Sequence, residues 1–297
     1  MGTIGFIGLG NMGAPMAANL VKAGHEVTGF DLSSQAVEVA RQAGCAIAGS
    51  LAELADGKDC IITMLPAGDH VLSVYGEIAG HVALGCVMID CSTIDVASAS
   101  QAHEMAAKAG ALSVDAPVSG GIMGAQNATL TFMAGGSDAA LEVADPILQP
   151  MAGRVVRCGG PSAGQAAKAC NNMILAITMI GTCEAFEMGR RLGLDEQALF
   201  DVVSTASGQS WSTTTYCPVP GPVPTSPANN DYKPGFATDL MVKDLGLAQE
   251  AAKQTGALTP LGELALKLYR DFARSGNGDV DFSGIIRTME AAPKKTP

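Results

Sequence analysis

The chain has 297 residues, of which 47% are hydrophobic and 16% charged, a composition typical of a globular protein with a large core. The formal net charge is −11, and apart from Lys294 and Lys295 no basic cluster occurs, so neither nucleic acid nor an anionic membrane surface is an expected partner. The eight cysteines include no C-x-x-C pair and the four histidines are scattered, so the sequence predicts no metal site and indicates a reducing compartment, expected to be the cytoplasm.

A glycine-rich turn follows the first predicted strand. Residues 3–8 predict a buried strand, residues 14–23 a helix and residues 26–30 a second strand, and the N-terminus leads so directly into the first strand that no targeting segment is expected. The G-x-G-x-x-G spacing of the turn favours a dinucleotide site, because its glycines permit a tight turn, close approach to a pyrophosphate and helix packing. The alternative is a glycine turn without a ligand. The predicted cofactor-binding residues here are Gly8, Leu9, Gly10, Asn11, Met12, Gly13 and Asp31.

Asp31 stands at the end of the second predicted strand, 18 residues after the third glycine. Its carboxylate can accept hydrogen bonds from ribose hydroxyls and repels a 2′-phosphate. No arginine stands beside it, so we predict NAD rather than NADP as the cofactor.

The alternation of strands and helices continues to about residue 162. Further strands are predicted at 60–65, 87–90, from 112, at 130–134 and at 154–157, and helices at 34–43 and up to residue 108. Leu65, Pro66 and Thr93 therefore fall at the carboxyl ends of strands, the edge at which open α/β sheets bind ligands. Thr93 could equally be the N-terminal cap of the helix that follows.

Ser119, Gly120 and Gly121 form the exit of the strand that starts at residue 112. A serine hydroxyl followed by two glycine N–H groups can bind an anion, and a small carboxylate is the natural guest. A plain turn is the alternative, because Ser-Gly is common turn chemistry.

A run almost without helix breakers extends over residues 163–192 and predicts a helix of about 45 Å, long enough that we expect it to join two domains. Lys168 and Asn172 share one face of it. Apolar neighbours would desolvate Lys168, lower its pKa and suit it to proton transfer. The alternative is a lysine whose stem lies on apolar surface while its head reaches water. The longest uncharged stretch of this helix, residues 169–183, is too short and too polar to span a bilayer.

The predicted organisation is a Rossmann-type domain at 1–162 followed by an all-helical domain at 163–297, with the long helix 163–192 between them. Further helices are predicted at 195–206, 238–255, 259–274 and 282–292. Residues 207–235 hold six prolines and the only tryptophan and predict a long insert without helix. We expect this insert to be an ordered cover over neighbouring surface. Lys243 lies in an apolar setting within 236–248, although an ordinary surface lysine is the alternative there.

Four motifs in this order resemble the β-hydroxyacid dehydrogenase family, and the resemblance covers essentially the whole chain. They occupy residues 5–13, 115–121, 164–172 and 243–245. The resemblance implies that Ser119, Gly120 and Gly121 hold the substrate carboxylate and that Lys168 is the acid–base catalyst. It also implies that Asn172 contacts the substrate and assigns Phe236 and Lys243 to the cofactor.

Within the family, the chain resembles most the branch that oxidises 3-hydroxyisobutyrate. Tartronate semialdehyde reductases, the nearest alternative, generally lack a long proline-rich loop like that at 207–235. An alternative of another class is a non-catalytic NAD-binding sensor or scaffold, whose mark would be loss of the lysine. The apolar circumference of the long helix and the family resemblance predict a homodimer or homotetramer.

Overall fold

A computed structural model describes residues 2–290 of the chain. Lys294, Lys295 and the end of the predicted last helix lie outside the described residues. The chain folds into two compact units, Met1–Lys168 and Ala169–Pro297.

The first unit contains a nine-stranded sheet with helices along the chain between its strands. The strands are β1 (Thr3–Ile7), β2 (Glu26–Phe30), β3 (Ala46–Ile47), β4 (Cys60–Thr63), β5 (Val87–Asp90), β6 (Leu112–Asp115), β7 (Val118–Ser119), β8 (Leu130–Gly136) and β9 (Ala152–Gly159). The helices are α1 (Gly13–Lys22), α2 (Ser34–Gln42), α3 (Leu51–Ala55), α4 (Gly68–Ile78), α5 (Val96–Lys108), α6 (Gly121–Gln126) and α7 (Asp138–Leu148).

The first six strands are parallel in the order β3-β2-β1-β4-β5-β6, the arrangement of a dinucleotide-binding fold. Strand β8 then runs antiparallel to both β6 and β7, and β9 lies parallel to β8 on its other side. Strands β4 and β5 are buried along their whole length because helices cover both faces of a parallel sheet. Two apolar cores result, one including Phe6, Met16 and Phe132 and the other Ile61, Tyr75 and Met88.

The second unit is helical, and the predicted fold class is confirmed. Helix α8 (Ala163–Arg191) is 29 residues long and enters this unit after Lys168. The helices that follow are α9 (Glu196–Val203), α10 (Trp211–Thr214), α11 (Thr238–Thr255), α12 (Pro260–Phe272) and α13 (Ile286–Glu290), with a 3-10 turn at Phe282–Ile285 before the last.

Helix α8 is also the one helix among the described residues that is long and apolar enough to cross a membrane, a criterion that core helices of soluble proteins meet as well. Its side chains Ala176, Met179 and Cys183 are fully buried in the core of the second unit. One face of helix α8 therefore packs in this core.

Three side chains of the segment 207–235 are buried in the core of the second unit: Cys217, Val219 and Val223. The expectation of a stretch without helix is wrong at two places, because Ser210 accepts a hydrogen bond from Thr213 N and caps the short helix α10, and a 3-10 turn forms at Pro227–Asn230. The ring of Tyr216 stacks between Trp211 and Phe282, at centroid distances of 4.8 and 5.4 Å.

The buried carboxylate of Asp281 holds the end of this segment. It accepts hydrogen bonds from Tyr216 Oη at 2.8 Å, Gly235 N at 2.9 Å and Phe236 N at 3.0 Å. Its other oxygen accepts from both the backbone N and the Oγ of Ser283. Burial and the neighbouring Asp281 raise the pKa of Tyr216, so the phenol remains a donor to the carboxylate.

Candidate active site

The glycine turn has the steric requirements of a dinucleotide site. A Cβ atom at Gly8 would lie 2.2 Å from Met64 O, and one at Gly13 would lie 1.8 Å from Gly8 O, so these two positions exclude any side chain. Gly10 is different, because nothing lies within 4 Å of its Cβ position and the space beside it is open. Helix α1 then begins at Gly13, and its N-cap residue Met12 forms no side-chain capping hydrogen bond. An open position before an uncapped helix N-terminus fits a pyrophosphate.

The remaining residues of the turn take two roles. The side chain of Leu9 is buried in the first core, whereas Asn11 is exposed. Leu9 N donates to Asp31 Oδ2 at 2.6 Å, and Ser33 N donates to Asp31 Oδ1 at 2.7 Å. Asp31 is therefore held at the end of β2 against the glycine turn, as a residue that recognises a ribose would need to be.

The exits of β4 and β5 are joined by a buried network. Asp90 Oδ1 accepts hydrogen bonds from Thr63 Oγ1 at 2.7 Å and from Ser92 Oγ at 2.6 Å. Ser92 Oγ in turn accepts from Leu65 N at 2.8 Å. Burial raises the pKa of Asp90, and its Oδ2 has no hydrogen-bond partner among the described residues. The network holds the backbone at Leu65 and at Ser92, the two strand exits of the predicted cofactor-binding edge.

Leu65 and Thr93 are partly buried at these exits, and Pro66 is exposed. The N-terminal cap of helix α5 is Asp95, whose side chain accepts a hydrogen bond from Ser98 N at 2.7 Å. The capping alternative for Thr93 is therefore wrong, and its place beside Leu65 and Pro66 at the carboxyl edge stays a prediction of cofactor contact.

Ser119 ends the short strand β7, and Gly120 and Gly121 follow at the start of helix α6. Both glycines have left-handed φ values, 129° and 60°, which a residue with a side chain adopts only with strain. Ser119 and Gly121 are partly buried and Gly120 is exposed, so the segment is accessible to a small ligand.

The first turn of helix α8 is tightly held within the first unit. Asp115 Oδ1 accepts a hydrogen bond from Ser162 N at 2.9 Å, and Asp115 Oδ2 accepts from Gln165 N at 2.8 Å. A Cβ at Gly164 would lie 2.2 Å from Met133 O, so only glycine allows this approach of helix to sheet. His103 Nε2 lies 2.9 Å from Asp115 Oδ1.

Lys168 lies one turn further along α8 and is buried, with 7% of its surface exposed. Its ammonium donates a hydrogen bond to Val118 O at 2.8 Å, the carbonyl of the peptide bond that leads into Ser119. The structure thus brings the predicted acid–base lysine to the predicted carboxylate-binding segment. The alternative of a lysine whose head reaches bulk water does not fit this burial.

In the second unit, Asn172 is buried, and its Nδ2 donates to Asp244 Oδ2 at 2.5 Å. Its Oδ1 accepts from Asn171 Nδ2 at 2.9 Å. Lys243 precedes Asp244 on α11 and is partly buried, and its contact with the cofactor stays a prediction. Phe236 is partly buried beside the Asp281 carboxylate.

Three residues that hold the predicted site residues in place were not identified from the sequence. These residues are Asp115, Gln165 and Asp244. Asp115 and Gln165 lie inside the motifs at 115–121 and 164–172, and Asp244 follows Lys243 directly. Each is a charged or amide residue inside an apolar segment. Such a pattern could have indicated a buried hydrogen-bonding role, because buried polar groups are almost always paired.

Within residues 2–290 no group of three His, Cys, Asp or Glu side chains could hold a metal ion.

Two family profiles match nearly the whole chain. Residues 3–160 match the NAD binding domain of 6-phosphogluconate dehydrogenase. Residues 162–289 match the NAD-binding domain of NADP-dependent 3-hydroxyisobutyrate dehydrogenase.

Curated relatives and a solved structure agree with these profiles. The chain is 52% identical over 291 residues to a probable 3-hydroxyisobutyrate dehydrogenase of Mycobacterium tuberculosis, covering 98% of this chain and 99% of that protein. It is 46% identical to an NAD-dependent L-serine dehydrogenase of Pseudomonas aeruginosa, covering 98% of each. A solved structure of the Mycobacterium tuberculosis 3-hydroxyisobutyrate dehydrogenase with L-serine has a TM-score of 0.95 at 52% identity, covering 98% of this chain and 100% of that one.

These matches cover nearly the whole chain. They agree with the glycine turn of a dinucleotide site and with the buried lysine beside the segment Ser119–Gly121. The chain belongs to the 3-hydroxyisobutyrate dehydrogenase family and is an NAD-binding oxidoreductase.

Proposed function

We propose that the protein oxidises 3-hydroxyisobutyrate to methylmalonate semialdehyde with NAD, a step of valine breakdown, and that Lys168 is the acid–base catalyst. The observation that carries the proposal is the 2.8 Å hydrogen bond from Lys168 Nζ to Val118 O, directly before Ser119. A buried ammonium next to an anion-binding segment suits a substrate that has both a carboxylate and a hydroxyl group.

Each residue of the proposed site has a separate role in binding or proton transfer. Ser119 Oγ and the amides of Gly120 and Gly121 bind the substrate carboxylate. Neutral Lys168 accepts the hydroxyl proton during oxidation, and its ammonium returns that proton in the reverse direction. Asn172, one helical turn after Lys168, contacts the substrate. NAD, when bound, supplies the hydride acceptor.

The cofactor assignments rest on the glycine turn and on the family resemblance. The pyrophosphate would be surrounded by the residues of the glycine turn, which are Gly8, Leu9, Gly10, Asn11, Met12 and Gly13. Asp31 would bind the adenosine ribose. Further cofactor contacts are assigned to Leu65, Pro66, Thr93, Phe236 and Lys243. The proximity of Asp31 to Leu9 supports this assignment for the ribose.

L-serine is the second candidate substrate. It is also a 3-hydroxy acid, and a relative 46% identical to this chain is named an L-serine dehydrogenase. The solved relative whose structure includes L-serine points in the same direction. A tartronate semialdehyde reductase is a third candidate, and a non-catalytic NAD sensor is a candidate of another class.

A substrate panel tests the proposal. Both enantiomers of 3-hydroxyisobutyrate, L-serine and D-glycerate are each assayed with NAD and with NADP, and kcat/KM is compared. We expect 3-hydroxyisobutyrate with NAD to give the highest value. A higher kcat/KM for L-serine or glycerate would contradict the substrate assignment, and no NADH with any of them would favour the sensor.

We also propose a homodimer or homotetramer in the cytoplasm. Ile174 and Met188 are apolar residues of helix α8, and each is 60% exposed. A second copy would cover such apolar surface. The eight free cysteines support a reducing compartment. A monomeric mass by light scattering at micromolar concentration would contradict the assembly.

A further inference from the structure

The side chain of Gln165 forms two buried hydrogen bonds to one loop. Its Nε2 donates to Ser92 O at 2.7 Å, and its Oε1 accepts from Ile94 N at 3.1 Å. Only 1% of its surface is exposed. These two hydrogen bonds, named here the Gln165 bridge, connect the first turn of helix α8 to the exit of strand β5.

The loop that Gln165 contacts is fixed on its other side as well. Ser92 donates through Oγ to Asp90 at 2.6 Å and accepts from Leu65 N at 2.8 Å. The segment from Ser92 to Ile94 contains Thr93, a predicted cofactor contact. The Gln165 bridge therefore joins helix α8 to both strand exits of the predicted cofactor edge.

On the helix side, the bridge is close to Lys168. Gln165 precedes Lys168 by three residues, so the two side chains lie on neighbouring positions of one helical face. Asp115 holds the backbone of the same turn through Gln165 N at 2.8 Å. Asp115 thus holds the backbone of the turn, and the Gln165 amide is a second, separate contact between this turn and the loop at Thr93.

We infer that Gln165 is a positioning residue, which sets the place of Lys168 relative to the cofactor edge through the Gln165 bridge. The inference rests on the proposed role of Lys168. Catalysis by a general base needs the proton acceptor and the hydride acceptor to meet the same carbinol group at once, so a shift of helix α8 against the loop slows turnover. Gln165 itself is assigned to neither substrate nor NAD, and the loop at Thr93 keeps its hydrogen bonds from Ser92 to Asp90 and from Leu65 N to Ser92, so their binding should be largely unaffected.

A structural role alone would have a different signature. A buried glutamine with two hydrogen bonds stabilises the fold wherever it lies, and its loss lowers the melting temperature. Such a loss would not act selectively on kcat, nor would it depend on whether Lys168 is present.

The test uses Gln165→Met, which keeps the length of the side chain and removes both hydrogen bonds, and Gln165→Glu, which keeps the acceptor for Ile94 N and loses the donor to Ser92 O. We expect kcat to fall by roughly 10- to 100-fold in Gln165→Met, with less loss in Gln165→Glu. KM and the NAD dissociation constant should stay within about threefold. If Gln165→Met does not fold, Gln165→Glu carries the same comparison.

The matched control is Ser226→Ala. It removes another buried hydrogen bond from a side chain to a loop carbonyl, that of Ser226 Oγ to Cys217 O at 2.6 Å in the second unit. We expect a lower melting temperature with unchanged kcat. Equal loss of kcat in Ser226→Ala and Gln165→Met would overturn the inference.

A double-mutant cycle with Lys168→Ala separates the two proposals. If Gln165 acts through Lys168, Gln165→Met should change the residual kcat of Lys168→Ala by less than about twofold. The same factor in both backgrounds, or a normal kcat in Gln165→Met alone, would overturn the inference while leaving Lys168 as the base. A Lys168→Ala protein with near-normal kcat would instead overturn the proposed function.

Discussion

The ammonium of Lys168 donates a 2.8 Å hydrogen bond to the carbonyl of Val118, which links a helix residue to the strand that ends at Ser119. The contact ties the proposed base to the proposed carboxylate-binding segment within a single unit of the chain.

Replacement of this lysine should abolish most turnover. Lys168→Ala is expected to lower kcat by about 10²-fold or more, because general acid–base catalysis contributes about that much. Lys168→Arg should not restore it, since a guanidinium stays protonated. Steady-state kinetics and NAD titration measure both, and NAD affinity should be retained. Lys108→Ala, at an exposed lysine of the same unit, is the control. More than about a tenth of the parent kcat in Lys168→Ala would refute the assignment.

Two glycines of the dinucleotide turn should respond differently to alanine. Gly10→Ala adds a methyl group to open space, so the fold should survive while NAD affinity falls about tenfold or more, because the pyrophosphate loses its close approach. Gly13→Ala drives a methyl group to 1.8 Å from Gly8 O and should lower the melting temperature of the apoprotein as well. Melting curves with and without NAD distinguish the two. Unchanged NAD affinity in Gly10→Ala would argue against a pyrophosphate at this turn.

Cofactor choice should depend on Asp31. We expect a higher kcat/KM with NAD than with NADP, because the carboxylate repels a 2′-phosphate. Asp31→Ser should narrow the ratio of the two values by roughly tenfold, by removing a charge that is worth more than about 1 kcal/mol at close range. Assays with both cofactors at several concentrations give the ratio. Equal or better kcat/KM with NADP in the parent protein would contradict the prediction.

The buried carboxyl of Asp90 should make stability depend on pH. Burial raises its folded-state pKa above the ordinary value, so the parent protein loses stability as the pH rises through the interval between the two values. Asp90→Asn does not titrate, and its free energy of unfolding relative to the parent should therefore rise with pH above about 4, near the unfolded carboxyl pKa. Urea unfolding between about pH 4 and 8 checks the slope.

Asp59→Asn is the control for this slope. Hydrogen bonds from Thr3 lower the pKa of Asp59, so its stabilising effect is lost only as the pH falls below the unfolded value. The difference between Asp59→Asn and the parent should stay flat over the same range. A flat result for Asp90→Asn would mean that its buried carboxyl titrates as in the unfolded chain.

Removal of the Asp281 carboxylate should destabilise the second unit. Asp281→Ala removes the acceptor of the buried donor Ser283 N and of the part-buried donors Gly235 N and Phe236 N, at a cost of roughly 2–3 kcal/mol in the free energy of unfolding. Tyr216→Phe removes one donor and should cost about 1 kcal/mol. Asp279→Ala, at an exposed aspartate two residues earlier, should have little effect. Equal stability of the two aspartate variants would disprove the role of the Asp281 carboxylate.

Local patterns in the sequence predict most of this fold. The glycine turn between β1 and α1, and helix α11 at Thr238–Thr255, depend on neighbouring residues alone, and the predicted elements match there. Strands β3 and β7 have two residues each, too few to show any alternation, and were not predicted. The antiparallel direction of β8 could not be predicted from local sequence either, because the direction depends on the strand with which β8 pairs.

The sequence predicts the motif residues of the candidate site, but it does not predict the contacts that hold those residues in place. Lys168 and Ser119 carry chemistry that is readable from residue type, whereas their contact through Val118 joins residues 50 apart. The bonds of Asp115 to Ser162 N and of Gln165 to Ser92 O span 47 and 73 residues. Such partners emerge only when strands that are distant in sequence become neighbours in the sheet.

The pairing of Asp115 with the start of helix α8 also constrains how the chain can be recombined with its relatives. The two family profiles meet between residues 160 and 162, yet the first compact unit extends to Lys168. A chimera joined at residue 161 would take Asp115 from one parent and Ser162 and Gln165 from the other. A chimera joined after Lys168 inherits these partners together, so exchange of C-terminal domains should succeed at that junction and fail more often at the earlier one.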